Sequence, residues 1–96
     1  MDIREFRSKL GDLIGRLGGR LEKTNREHIE QFYNVGEESL AVELIAVELM
    51  QDPVPVSVEE KRILHELLYS FELPVAEQYI NRRDEVMAAL NVVEET

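Results

Sequence analysis

Residues 37–52 read EESLAVELIAVELMQD, and no way of winding them as a helix leaves a polar side broad enough to face water. At 100° per residue, Leu40, Leu44 and Val47 fall on one side. Ala41 and Ile45 take another, and Ala46, Leu49 and Met50 cover much of the rest. A helix apolar around most of its girth belongs at the centre of a fold, touched by neighbours on several sides. The rest of the chain must therefore supply amphipathic elements to surround it.

Its periodicity does so with helices. Ile3, Phe6, Leu10, Leu13, Ile14 and Leu17 recur at threes and fours, predicting a first helix over about 2–17 with one apolar stripe. Gly18 and Gly19 end it. Gly11 and Gly15 lie inside it, marking either a close approach by another backbone or a locally weak helix. Thr24 with Glu27 reads as a capping box that opens a second helix bearing Ile29, Phe32 and Tyr33, with Gly36 as its stop. The apolar helix follows over about 37–50. Prolines 53 and 55 make DPVPV a stiff extended connector, with no partner strand visible elsewhere.

Ser57 and Glu60 form a second capping box, opening a helix with a stripe of Ile63, Leu64, Leu67, Leu68 and Phe71. Pro74 suits the first turn of the next helix, whose short stripe is Val75, Ala76, Tyr79 and Ile80. Arg82 and Arg83 fall where apolar contacts would be wanted, predicting a break around 81–84. A last helix carries Val86, Met87 and Leu90, and residues 92–96 are expected to fray. The fold class expected is all-α: one domain over 1–96, a compact bundle of five or six short helices around a central third helix.

The 96 residues leave room for a single core. No cysteine is present, so disulfides and thiolate metal sites are excluded. The opening MDIREFRSKL is charged and reads as no signal peptide, and no apolar run approaches the ~20 residues of a membrane span. A cytoplasmic location is expected.

The net charge of −9 argues against nucleic acid and suits a basic partner. It is unevenly placed. Residues 27–60 hold nine acids (Glu27, Glu30, Glu37, Glu38, Glu43, Glu48, Asp52, Glu59 and Glu60) and no lysine or arginine. The flanks, at +3 over 1–26 and −3 over 61–96, cancel each other.

No catalytic or cofactor motif accompanies these acids. His28 and His65 are far apart and in no metal-ligand spacing. Glu60 stands five residues before His65 and Glu27 directly before His28, neither of which is the Glu-x-x-His of di-iron bundles. No phosphate-binding glycine loop occurs. Neither cofactor nor metal is called for, and the expectation is a protein that is not an enzyme.

Most of the acids suit the first turns of helices. Glu43 and Glu48 do not, since the helical projection places them between apolar neighbours, where a carboxylate needs a partner. Two readings stand. Arginines of the first or last helix pair with them internally, or that edge of the helix is left open to a basic ligand. In the second reading Glu37, Glu38, Glu43, Glu48 and Asp52 form an acidic binding cluster. Tyr33 and Tyr69, at the boundaries of their stripes, are its candidate aromatic anchors.

One resemblance bears on the choice. Gly36 to Ile45 reads G-E-x-x-L-A-x-E-x-I; an acid, Pro55-Val56-Ser57, two glutamates and an amphipathic helix follow. This pattern, over roughly 20–73, resembles the MafI-type immunity proteins, small helical antitoxins encoded beside polymorphic bacterial toxins, including those of contact-dependent growth inhibition. The resemblance implies a protein that binds and neutralises a cognate basic toxin domain, often a nuclease, with an RNase favoured here. It also implies that Gly36, Leu40 and Ala41 serve helix termination and packing, while Glu37 and Glu43 serve toxin contact or a structural pair. The helical extension over 75–90 is not part of the family pattern. The competing expectation is a non-enzymatic helical adaptor or regulatory subunit that acts by protein–protein contact, self-associating through its apolar third helix.

Overall fold

The computed structural model describes residues 1–93, and these wind into an all-α bundle. The helices are α1 (Ile3–Leu17), α2 (Lys23–Asn34), α3 (Glu38–Gln51), α4 (Val58–Tyr69), α5 (Gln78–Asn81) and α6 (Arg83–Ala89). The radius of gyration is 12.2 Å, against about 12.5 Å for a folded domain of this length. One core therefore accounts for the described residues.

That core forms around α3, which packs against α1, α2, α5 and α6, while α1 and α6 also pack against α4. Ala41, Val42, Ile45, Ala46 and Leu49 of α3 are buried among Leu10, Leu13, Leu17, Ile29, Leu64, Leu67, Leu68, Ile80 and Val86. The central position follows from the all-round apolar pattern. One strip stays partly open, however, with Leu40 37% exposed and Leu44 and Val47 half-buried.

Local signals account for several ends. Asp2 caps α1 by accepting the Glu5 N–H at 2.8 Å, and Gly18 stops it with a positive φ of 35°. A single 3₁₀ turn, Gly18–Arg20, then leads toward α2. Gly36, at φ 79°, makes the left-handed turn that joins α2 to α3 without the clash a Cβ would bring. Ser57 and Glu60 form the reciprocal capping box of α4, with bonds of 3.0 Å and 2.8 Å.

The two glycines inside α1 part company. A Cβ on Gly11 would stand 2.8 Å from the Tyr33 hydroxyl, whereas one on Gly15 would meet nothing within 4 Å. What approaches Gly11 is thus a tyrosine side chain, not a backbone, and only Gly15 is a simple weak point in the helix.

Other expectations need correction. The cap of α2 is Glu22, whose carboxylate accepts the Asn25 N–H at 2.9 Å; Thr24 and Glu27 lie inside the helix. Pro74 opens no helix, because α5 begins only at Gln78. The DPVPV connector does find a partner: Pro55–Val56 (β1) pairs in parallel with Asn91–Val92 (β2), and the Val93 N–H donates to the Val56 carbonyl at 2.8 Å. Two residues supply too little alternating pattern to announce a strand. Val92, expected to fray, is therefore held; the same expectation for residues 94–96 falls outside the described residues.

Candidate protein-binding site

The acids that the helical projection left unexplained have internal partners, and these are amides rather than arginines. Glu48 is 6% exposed. Its carboxylate accepts the Glu22 N–H at 3.0 Å and a bond from the Asn25 side-chain amide. It thereby satisfies a donor at the start of α2, one of the N–H groups a helix cannot pair within itself. Glu43 does the same for α5, accepting the Tyr79 N–H at 2.9 Å and the Ile80 N–H at 3.0 Å. The two carboxylates point about 140° apart around α3, each toward the helix it caps. Replacing Glu43 with alanine is expected to speed amide exchange of Tyr79 and Ile80 about tenfold, a loss of about 1.4 kcal/mol. Unchanged exchange, measured by NMR, would refute the capping role.

The five-carboxylate cluster therefore does not form. Glu48 is enclosed, Glu43 is half-buried against α5, and Glu38 pairs with Arg7 at 2.6 Å. The Arg7 guanidinium holds the Glu38 carboxyl below the ordinary carboxylate range. Glu37 and Asp52 remain exposed, at opposite ends of α3.

The two tyrosines are engaged as well. Tyr33 donates its hydroxyl to the Arg7 carbonyl at 3.1 Å, and the Arg7 guanidinium lies 4.3 Å above its ring. Tyr33 thus ties α2 to α1. The Tyr69 ring stacks on His65 with centroids 4.2 Å apart, has the Arg83 guanidinium 4.2 Å from its centroid, and donates its hydroxyl to Asp84. That bond raises the Tyr69 pKa. Arg83 also donates to the Phe71 carbonyl at 3.1 Å, so the arginine that interrupts the C-terminal apolar pattern closes the end of α4.

Two of the predicted residues do meet at a concave surface. Glu37 and Glu38 line a groove of about 390 Å³ between the start of α1, the α2–α3 turn and the end of α4. Ile3, Phe6 and Phe71 give it apolar walls, and Asp2 supplies a third carboxylate. Phe6 and Phe71 meet edge to face with their ring centroids 5.6 Å apart. Among the described residues no lysine or arginine lines it, and its one formal cation is the N-terminal ammonium of Met1. Ile3 is 61% exposed, although its spacing placed it on the buried stripe of α1. It sits on the first residue of that helix, where the stripe runs past the end of the core.

Asp2, Ile3 and Phe71 were not identified as site residues from sequence, because three distant segments come together only in the fold. Of the groove's carboxylates, Asp2 is engaged in capping and Glu38 with Arg7, while Glu37 has no side-chain partner among the described residues. Also among the described residues, no group of three or more histidines and acids converges to hold a metal. Among the described residues, no helix is long and apolar enough to cross a membrane. No family model, curated protein or solved structure matches this chain.

Proposed function

We propose that this chain is an immunity protein, a stoichiometric inhibitor that binds a basic toxin domain in the cytoplasm of the producing cell. A nuclease, and within that class an RNase, is the favoured target. The observation that carries this reading is the acid-lined groove, open on a chain of net charge −9. Arg7, Lys9, Arg16, Arg20, Arg26, Arg62 and Arg82 each sit beside an acid of this same chain, so the outward negative field comes from the acids in excess of such pairs. A negative surface speeds encounter with a basic partner well above the neutral rate, and an inhibitor of a toxin benefits from that speed. The pattern from Gly36 to Ile45 and from Pro55 to Ser57 supports the same reading.

Inhibition in this reading runs through the groove, not through a carboxylate cluster on α3. The test pairs Glu37→Lys with Asp2→Asn, which keeps an N-cap oxygen on α1. Binding to the basic toxin domain encoded beside the gene is expected to weaken at least tenfold, and protection of producing cells to fail, while circular dichroism stays helical. Full protection by the double variant would reject the groove as the binding surface.

A second reading has one observation in its favour. The strip of Leu40, Leu44 and Val47 on α3 is half open, and Val35 is 67% exposed beside the α2–α3 turn. An adaptor that joins through this strip would self-associate or take an apolar partner. Sedimentation of Leu40→Ser against the parent chain separates it from the inhibitor, for which the substitution leaves the monomer unchanged.

A further inference from the structure

We infer that the groove takes one arginine side chain of the partner, together with an apolar side chain next to it, rather than a whole phosphate-binding surface. The inference rests on the inhibitor reading for the kind of partner, but not for what the groove can hold.

Size sets the first limit. About 390 Å³ is the liquid volume of roughly a dozen waters, space on the scale of one arginine and one leucine side chain. It is too small for a helix or for a nuclease's full set of cationic residues.

Charge sets the second. Asp2, Glu37 and Glu38 line the groove, and Glu77 accepts a hydrogen bond at 3.0 Å from Ser39, another lining residue. Against these stand Arg7, the N-terminal ammonium of Met1, which also lines the groove, and the N-termini of α1 and α3, each equivalent to about half a positive charge. About one negative charge survives this offset. That is enough to hold a single cation and too little to mimic a phosphate backbone. It also disfavours a second copy of this acidic chain as the occupant.

The walls choose between the two cations. Phe71 presents partly open aromatic surface beside the carboxylates, with Phe6 buried at the base of the groove, and Ile3 adds exposed aliphatic surface. A guanidinium is planar and weakly hydrated; it stacks on rings and pairs with a carboxylate through two donors at once. An ammonium does neither. The free Glu37 carboxylate is the acceptor best placed for it, since Glu38 is already held by Arg7.

The probe is the capped tripeptide Leu-Arg-Leu, titrated into the ¹⁵N-labelled full chain, with the lysine and citrulline peptides beside it. Citrulline keeps the shape of arginine and removes its charge. With the arginine peptide, the amides of Glu37, Glu38, Ser39, Ser70 and Phe71 are expected to move in a saturable way. The lysine peptide should bind at least threefold more weakly and the citrulline peptide at least tenfold more weakly. Glu37→Gln and Ile3→Ser, both at exposed positions, should each weaken the arginine peptide at least threefold without changing the melting temperature.

Shifts centred elsewhere, equal response to citrulline, or groove shifts that follow protein concentration without peptide would each overturn the assignment. The last would identify a second copy as the occupant. If the arginine peptide binds as expected but no toxin domain is restrained, the groove assignment stands and the inhibitor reading falls.

Discussion

Replacing Glu48 with alanine is expected to remove about 2–4 kcal/mol of folding stability. The carboxylate is enclosed and meets two donors, the Glu22 N–H and the Asn25 amide. Truncation takes that acceptor away from both donors in a part-buried site. A domain of this length has a total stability of about 5–14 kcal/mol, so the loss is a large fraction of it. Urea denaturation measures it directly. Adding Asn25→Ala should recover part of the deficit, because one of the stranded donors disappears with it. A loss below about 0.5 kcal/mol, the usual range at surface positions, would mean that the bonds to Glu48 carry no weight.

The second large effect belongs to Glu60. This side chain is 5% exposed. It closes the capping box with Ser57 and receives the Arg20 guanidinium. Glu60→Ala is expected to cost about 2–4 kcal/mol. Loss of the cap contributes about 1 kcal/mol, and the rest is the broken pair, kept at the low end because Arg20 stays partly in water.

The same residue governs acid sensitivity. Its bond from Arg20, then the cap at Ser57, hold the Glu60 carboxyl below the ordinary range despite burial. A carboxyl whose pKa is lower in the folded state contributes stability above its unfolded pKa of about 4.3, and that contribution is lost as pH falls through the folded value. Glu38 and Glu66, lowered by Arg7 and Lys9 respectively, act in the same direction. Stability should therefore be nearly flat from pH 7 to pH 5 and fall below about pH 4. Glu60→Gln should fall less steeply over that window. An identical slope in thermal melts across pH would show that Glu60 is not the group responsible.

These two residues also show how the surface differs from the linear charge pattern. Nine acids without a base between 27 and 60 suggest one acidic face, yet Glu38, Glu43, Glu48 and Glu60 of that run all meet internal donors. These donors all come from segments outside the run: Arg7 in α1, Arg20 at the α1–α2 junction, Glu22 and Asn25 at the start of α2, and Tyr79 and Ile80 in α5. Counting charge along the chain registers the acids and misses the donors that fold back onto them. What stays available to a partner is narrower: exposed Glu27 on α2, Glu37 and Asp52 at the two ends of α3, and the groove that Glu37 shares with Asp2 and Ile3.

The sequence by itself determined whatever depends on neighbours a few residues apart. The 3.6-residue spacing of Leu10, Leu13 and Leu17, the all-round apolar surface of 38–50, the Ser57–Glu60 box and the turn at Gly36 are set by helical geometry and glycine sterics within one or two turns of chain. The tertiary structure decided whatever depends on groups that meet across the bundle. It started α5 at Gln78, where Glu43 arrives, and held α2 at Glu22, where Glu48 arrives. It paired Pro55–Val56 with residues 36 positions away, and it left Ile3 outside the core, lining the groove with Phe71 and Glu37. The physical reason is the same in each case. A buried carboxylate or an unpaired amide needs a partner but does not specify which one, and only the packing of the helices chooses it.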